Sequence, residues 1–187
     1  MTTAALYDEL NNVTHAREDR LTYANLIIAN PNLLPKLLDI LFMVDDKVSC
    51  RAAWVLEFMC NEHLELVLPH LEYFTTHIHK VHLDPAVRPV AKVCEYLAKA
   101  YYAKEPNAVK AQLNTHHQER IIEACFDWMI NDEKIAPKAY AMHTLFLFGN
   151  DYDWVHPELA QLLERDFQMQ SSGFKARARH ILKKLKK

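Results

Sequence analysis

The chain has 187 residues, half of them apolar and a quarter charged; this is enough to bury a core without metal or disulfide staples, and it is the balance of a globular rather than a disordered protein. Its two glycines, Gly149 and Gly173, argue against dinucleotide folds and phosphate-cradling loops, which depend on the one residue that takes positive φ without strain. The 22 basic and 24 acidic residues nearly cancel, but Lys175, Arg177, Arg179, Lys183, Lys184, Lys186 and Lys187 crowd into the last 13 positions, giving an acidic body and a basic tail.

In chain order, Met1 to Leu10 lacks the basic flank and long apolar run of a signal peptide. Leu34, Leu37, Leu38 and Leu41 recur at three and four, predicting a one-sided helix over Leu33 to Phe42. The apolar run from Leu33 to Val44 is broken by Pro35, Lys36 and Asp39, and is too short and too charged to span a bilayer. Amphipathic helices are likewise predicted over Leu64 to His77, Glu119 to Ile130 and Glu158 to Phe167. Pro31, Pro85 and Pro157 sit at or near helix starts, where a missing N–H costs nothing; Pro89 and Pro137 are expected in first turns.

After each of these helices comes another of a different kind. Cys50-Arg51-Ala52-Ala53, Val87-Arg88-Pro89-Val90-Ala91, Pro137-Lys138-Ala139 and Phe174-Lys175-Ala176 each set a basic residue before a small one, followed by apolar positions at helical spacing. The anchors Arg51, Arg88, Lys138 and Lys175 are 37, 50 and 37 residues apart, with a fainter copy at Arg20-Leu21-Thr22-Tyr23-Ala24. A fixed period of this length signals stacked supersecondary units. Asp45 precedes Arg51 by six and Asp132 precedes Lys138 by six, whereas His82 and Met169 hold the matching places before Arg88 and Lys175.

This pattern resembles the HEAT repeat, which pairs a turn aspartate with an Arg or Lys about six residues on. The resemblance implies an all-α fold, a short α-α solenoid of about five HEAT-like helical hairpins in a single domain over 1–187. It also implies a hydrogen-bonded ladder between repeats made by Asp45, Arg51, Asp132 and Lys138. The longer gap places a surplus in Tyr101 to His117, expected as an extended helix end and a projecting loop (about 101–117).

In a HEAT stack the second helix of each hairpin lines a concave side. Val48, Ala52, Val55 and Met59 share a buried face, leaving Arg51, Trp54 and Phe58 on another; Arg88, Lys92, Glu95 and Lys99 form the comparable stripe of the next hairpin, and Lys138, Met142 and Leu145 that of the one after. A groove containing Arg51, Trp54, Phe58, Arg88, Lys92, Glu95 and Lys138 suits a protein or peptide partner. The competing reading is that Trp54 and Met142 are simply covered by neighbouring repeats.

Other chemistry finds less support. His77, His79 and His82 stand near Asp84, but His77 and His79 are two apart and point to different helix faces, so a polar helix end is expected and no metal or cofactor. Cys50, Cys60, Cys94 and Cys125 form no C-x-x-C pair and have apolar neighbours, which implies reduced thiols and a cytoplasmic setting. The chain as a whole is similar to short bacterial proteins that carry the name adenylosuccinate lyase. The flexible loop of that enzyme family, Ser-Ser-x-Met-Pro-x-Lys-x-Asn, compares with Ser171-Ser172-Gly173-Phe174-Lys175, yet Met-Pro and Asn are missing and the chain is under half the enzyme's usual length. The expectation is therefore a non-enzymatic interaction module. The alternative is nucleic-acid binding through the basic run Lys175 to Lys187 and the concave arginines, as in the HEAT-like DNA alkylation glycosylases.

Overall fold

A computed structural model describes residues 1–186; Lys187 of the basic tail lies outside the described residues. The described residues are all-helical: α1 (Thr3–Leu10), α2 (Arg17–Ala29), α3 (Leu34–Leu41), α4 (Lys47–Glu62), α5 (Leu71–His77), α6 (Asp84–Tyr101), α7 (Ala108–Gln112), α8 (Thr115–Ile130), α9 (Ile135–Phe148), α10 (Val155–Asp166) and α11 (Ser172–Leu185), with 3-10 segments at Pro31–Leu33, Leu64–His70 and Ile78–Lys80. None of these helices is long and apolar enough to cross a membrane.

Helix starts are set by capping. Asp46 accepts from the Val48 amide at 2.8 Å to begin α4, and its other oxygen accepts from the Tyr7 hydroxyl at 2.8 Å, tying α1 to that start. Asn114 and His117 form a reciprocal capping box at α8. Ser171 caps α11 by accepting from the Phe174 amide, so the serine-rich segment forms a helix start. Gly149 ends α9 with φ −60, a right-handed conformation open to any residue; what requires glycine there is space, because a Cβ would lie 1.9 Å from the His156 ring.

Five helices pack in one continuous row: α4 lies against α2 and α6, α6 against α9, and α9 against α11. The others pack against this row or one another, with α1 on α3 and α4, α3 on α4, α5 on α8, α8 on α9, and α10 on α9 and α11. One continuous core runs from Leu6 and Leu37 through Val55, Phe74 and Leu97 to Phe148 and Phe174. All four cysteines are free and buried in it, and desolvation pushes the Cys60, Cys94 and Cys125 thiols far up.

Two expectations need correction here. The surplus after α6 does not project: α7 folds back onto α6 and the Leu64–His70 segment, with Val109 and Leu113 buried. Pro89 is the sixth residue of α6 and not part of its first turn.

Candidate functional site

The middle of the row carries the most organised polar face of the molecule. On α4, Trp54, Glu57, Phe58 and Asn61 follow each other at three and four and therefore share one side. Pro85, Arg88, Lys92 and Tyr96 do the same on α6, and Tyr140 and His143 on α9.

The seam between α4 and α6 is closed by a backbone defect and its repair. Pro89 has no N–H, so the carbonyl of Pro85, four residues before it, lacks the intrahelical donor that any other residue would supply. The Trp54 indole Nε1–H fills the vacancy, donating to that carbonyl at 2.8 Å. Nearby, the Arg88 guanidinium grips the Glu57 carboxylate with two parallel bonds, Nη1 to Oε1 at 3.0 Å and Nη2 to Oε2 at 2.6 Å. Further along, the Tyr96 hydroxyl donates to Asn61 Oδ1 at 2.9 Å; burial first, then the neighbouring Glu57 charge, pushes this phenol up to about 12, so it is a neutral donor.

The seam between α6 and α9 centres on Glu95, whose side chain is 3% exposed. It accepts from Lys92 Nζ at 2.6 Å, Lys99 Nζ at 3.1 Å and His143 Nδ1 at 2.7 Å. Burial alone would raise its pKa; the hydrogen bonds from His143 and Lys92 and the lysine charge overcome that and hold it at about 2. Lys92 then stands between two rings, its ammonium 4.4 Å from the Tyr140 centroid and 5.0 Å from that of Tyr96.

On the α2 side, Arg20 lies 5.1 Å from the Phe58 ring centroid and 5.7 Å from that of Trp54, with Arg17 5.7 Å over Phe58. These helices leave a cavity of about 250 Å³ between Arg17 and Leu21 of α2, Glu57, Phe58 and Asn61 of α4, and Tyr96 of α6. Its walls combine aromatic faces with donors and acceptors whose directions are already fixed by the pairs just described.

Of the residues singled out from sequence, Trp54, Phe58, Arg88 and Lys92 lie on this face, half-buried. Glu95 is beneath it as a buried anchor rather than a lining residue. Lys138 is 5% exposed, and Met142 and Leu145 are fully buried. That stripe of α9 faces the core, and the polar side is the one bearing Tyr140 and His143. Since α9 is apolar almost all round, periodicity had no contrast from which to choose a face.

The expected ladder is built from other residues. Arg51 donates to Asn11 Oδ1 at 2.6 Å, Asp45 meets His82 Nε2 at 3.2 Å, Asp132 is exposed, and Lys138 lies near Glu133 and Asp166, whose carboxyls feel its charge. The rungs between successive helices of the row are instead Glu57 with Arg88 and Glu95 with His143. Two helix-to-helix glutamates at like positions, Glu57 and Glu95, were the available signal.

The histidines are dispersed. His77 packs against Phe42 and Tyr73 with Nδ1 2.8 Å from the Tyr73 carbonyl, His82 meets Asp45, and His79 lines a separate shallow cleft with Arg120 and Asp127. No three metal-ligating side chains converge among the described residues. Compared with protein-family models, with curated proteins and with solved structures, the chain matches none.

Proposed function

We propose that the chain is a non-enzymatic interaction module, a short solenoid of about five HEAT-like helical hairpins, which binds a protein or peptide segment against the α2–α4–α6 face. The observation that carries this reading is the cavity beside Phe58 and Tyr96, bordered by side chains that are pre-oriented by the half-buried Glu57–Arg88 pair and the Tyr96–Asn61 hydrogen bond. Rigid aromatic faces ringed by fixed polar groups reduce the ordering cost of binding and are what peptide-recognising grooves present. Glu57 and Glu95 are fully engaged by cations, and Glu95 is held ionised, which suits positioning of neighbours and not proton transfer. The reading as a HEAT-like module rests on the 37-residue spacing of the basic anchors and on the unbroken row of helices. Buried reduced thiols accord with a cytoplasmic setting.

The test is capture of the tagged protein's partners from its native lysate, with and without nuclease, for the natural sequence and for Arg17→Glu. A protein partner that survives nuclease and is lost with Arg17→Glu is the expected result. A nuclease-resistant partner retained equally by Arg17→Glu removes the assignment to this face. Loss of all partners on nuclease treatment removes the protein-binding reading in favour of nucleic acid.

A further inference from the structure

A second surface, at the other end of the row, is built on different terms. Helix α11 buries Phe174, Ala178 and Ile181 against the body. Arg179, Lys183 and Lys186 follow each other at four and three along one exposed flank, a stripe about 10 Å long at 1.5 Å per residue. Beside the stripe is an open cleft of about 380 Å³ whose floor is the apolar pair Phe167, at the end of α10, and Leu182. Arg179 lies over the Phe167 ring at 5.3 Å, and the one carboxylate paired with the stripe is Glu164, 3.3 Å from Lys186. Arg179 and Lys183 have no carboxylate within ion-pair distance among the described residues. Arg177 and Lys184, seven apart, lie on the opposite flank.

We infer that this cleft is a docking site for an acidic amphipathic helix. Its carboxylates at i, i+4 and i+7 would face Arg179, Lys183 and Lys186, and one apolar side chain would enter between Phe167 and Leu182. The spacing of the cations matches that of carboxylates on one helix face, and the floor requires an apolar group next to the charges. An anionic membrane surface is disfavoured because the apolar face of α11 is already used by the core and has nothing to insert. A nucleic acid would meet the cations but would not use the apolar floor, and the exposed face of Phe167 is capped by Arg179 instead of being open for a base.

The experiment uses the full chain and a fluorescent synthetic helical peptide carrying glutamates at i, i+4 and i+7 and a leucine on the adjoining face, read by anisotropy. Expected are binding that weakens with salt, a loss of about tenfold when the glutamates become glutamines, and a similar loss in the Arg179→Glu/Lys183→Glu variant. The Arg177→Glu/Lys184→Glu variant makes the same change in net charge on the other flank and is expected to bind within about twofold of the natural protein. Circular dichroism on both variants separates loss of binding from loss of fold. Equal weakening by the two variants, or equal binding of the glutamate and glutamine peptides, overturns the proposal by reducing the site to net charge. Tighter binding of a single-stranded oligonucleotide or of phosphatidylserine vesicles than of the peptide overturns it in favour of those ligands.

Discussion

Helices α6 and α11 begin with the same kind of sequence, a basic residue followed by small and apolar ones, and end as opposites. In α6 the cations are tied down: Arg88 to Glu57, and Lys92 and Lys99 to Glu95. In α11 only Lys186 meets a carboxylate among the described residues, and Arg177, Arg179, Lys183 and Lys184 are exposed. The difference lies in the supply of carboxylates. Arg88 is matched by Glu57 of the adjoining helix, and Lys92 and Lys99 by Glu95 of α6 itself, which His143 of α9 also holds. Helix α11 has no acidic residue of its own and, among the described residues, meets only Glu164 at the end of α10. Identical residue types therefore serve as structural ties in the middle and as an open electrostatic surface at the end.

The comparison breaks first at Glu95. Replacing it by Ala leaves Lys92 and His143 facing each other with no anion between them, and the expected cost is about 3–5 kcal/mol in urea unfolding. The same carboxyl should set the acid limb of stability. Its folded pKa, about 2, lies below the ordinary 4.5, so its contribution is full above about 4.5 and is lost as pH falls from there toward 2. Glu95→Gln should flatten that limb; an unchanged acid limb would show that Glu95 is not held ionised as described.

Smaller is the effect expected of Gly149→Ala. The new methyl would displace the His156 ring, breaking its Nε2–H bond to the Phe146 carbonyl (2.8 Å), at about 1–3 kcal/mol. Shortening His156 to Ala in the same protein should recover part of that loss. Trp54→Phe should cost about 1 kcal/mol, since water reaches Pro85 and partly replaces the indole. Here the sharper measurement is the coupling. Pro89→Ala restores a backbone donor to the Pro85 carbonyl, so it should stabilise the Trp54→Phe protein more than the natural one. Equal effects in both backgrounds would remove the repair argument. At the bottom of the scale, Arg177→Gln on α11 should change thermal stability by no more than about 0.5 kcal/mol. A larger loss would mean that α11 is tied down as firmly as α6.

Much of the fold was legible because helical periodicity and proline placement are local signals. The boundaries expected for α3, α5 and α10 fall within a few residues of those observed once the 3-10 run Leu64–His70 is counted with α5, although α8 begins earlier, at its Asn114 cap. The candidate site was legible only in part. Arg88 and Lys92 were found by their charge, and Trp54 and Phe58 because helical spacing sets them off the face of Val48, Ala52, Val55 and Met59. Tyr140 and His143 were missed because on the apolar α9 they give no charge contrast, and Tyr96 because, though four residues after Lys92 on the same side, it carries no charge itself. The expected ladder went astray for a related reason. Six residues of sequence separation fix where Asp45 lies relative to Arg51 along the chain, but not which of several polar neighbours each side chain meets once Asn11 and His82 arrive from other segments.

The indole that completes the backbone of α6 has a consequence for how the chain folds. A helix carrying a proline at its sixth position is a poor autonomous folder, because one of its early carbonyls has no partner of its own. When that partner is a side chain of α4, the beginning of α6 gains part of its stability from its neighbour in the row. Neighbouring helices of the row are then linked by a backbone bond as well as by buried area, and a change at Trp54 is felt at the start of α6.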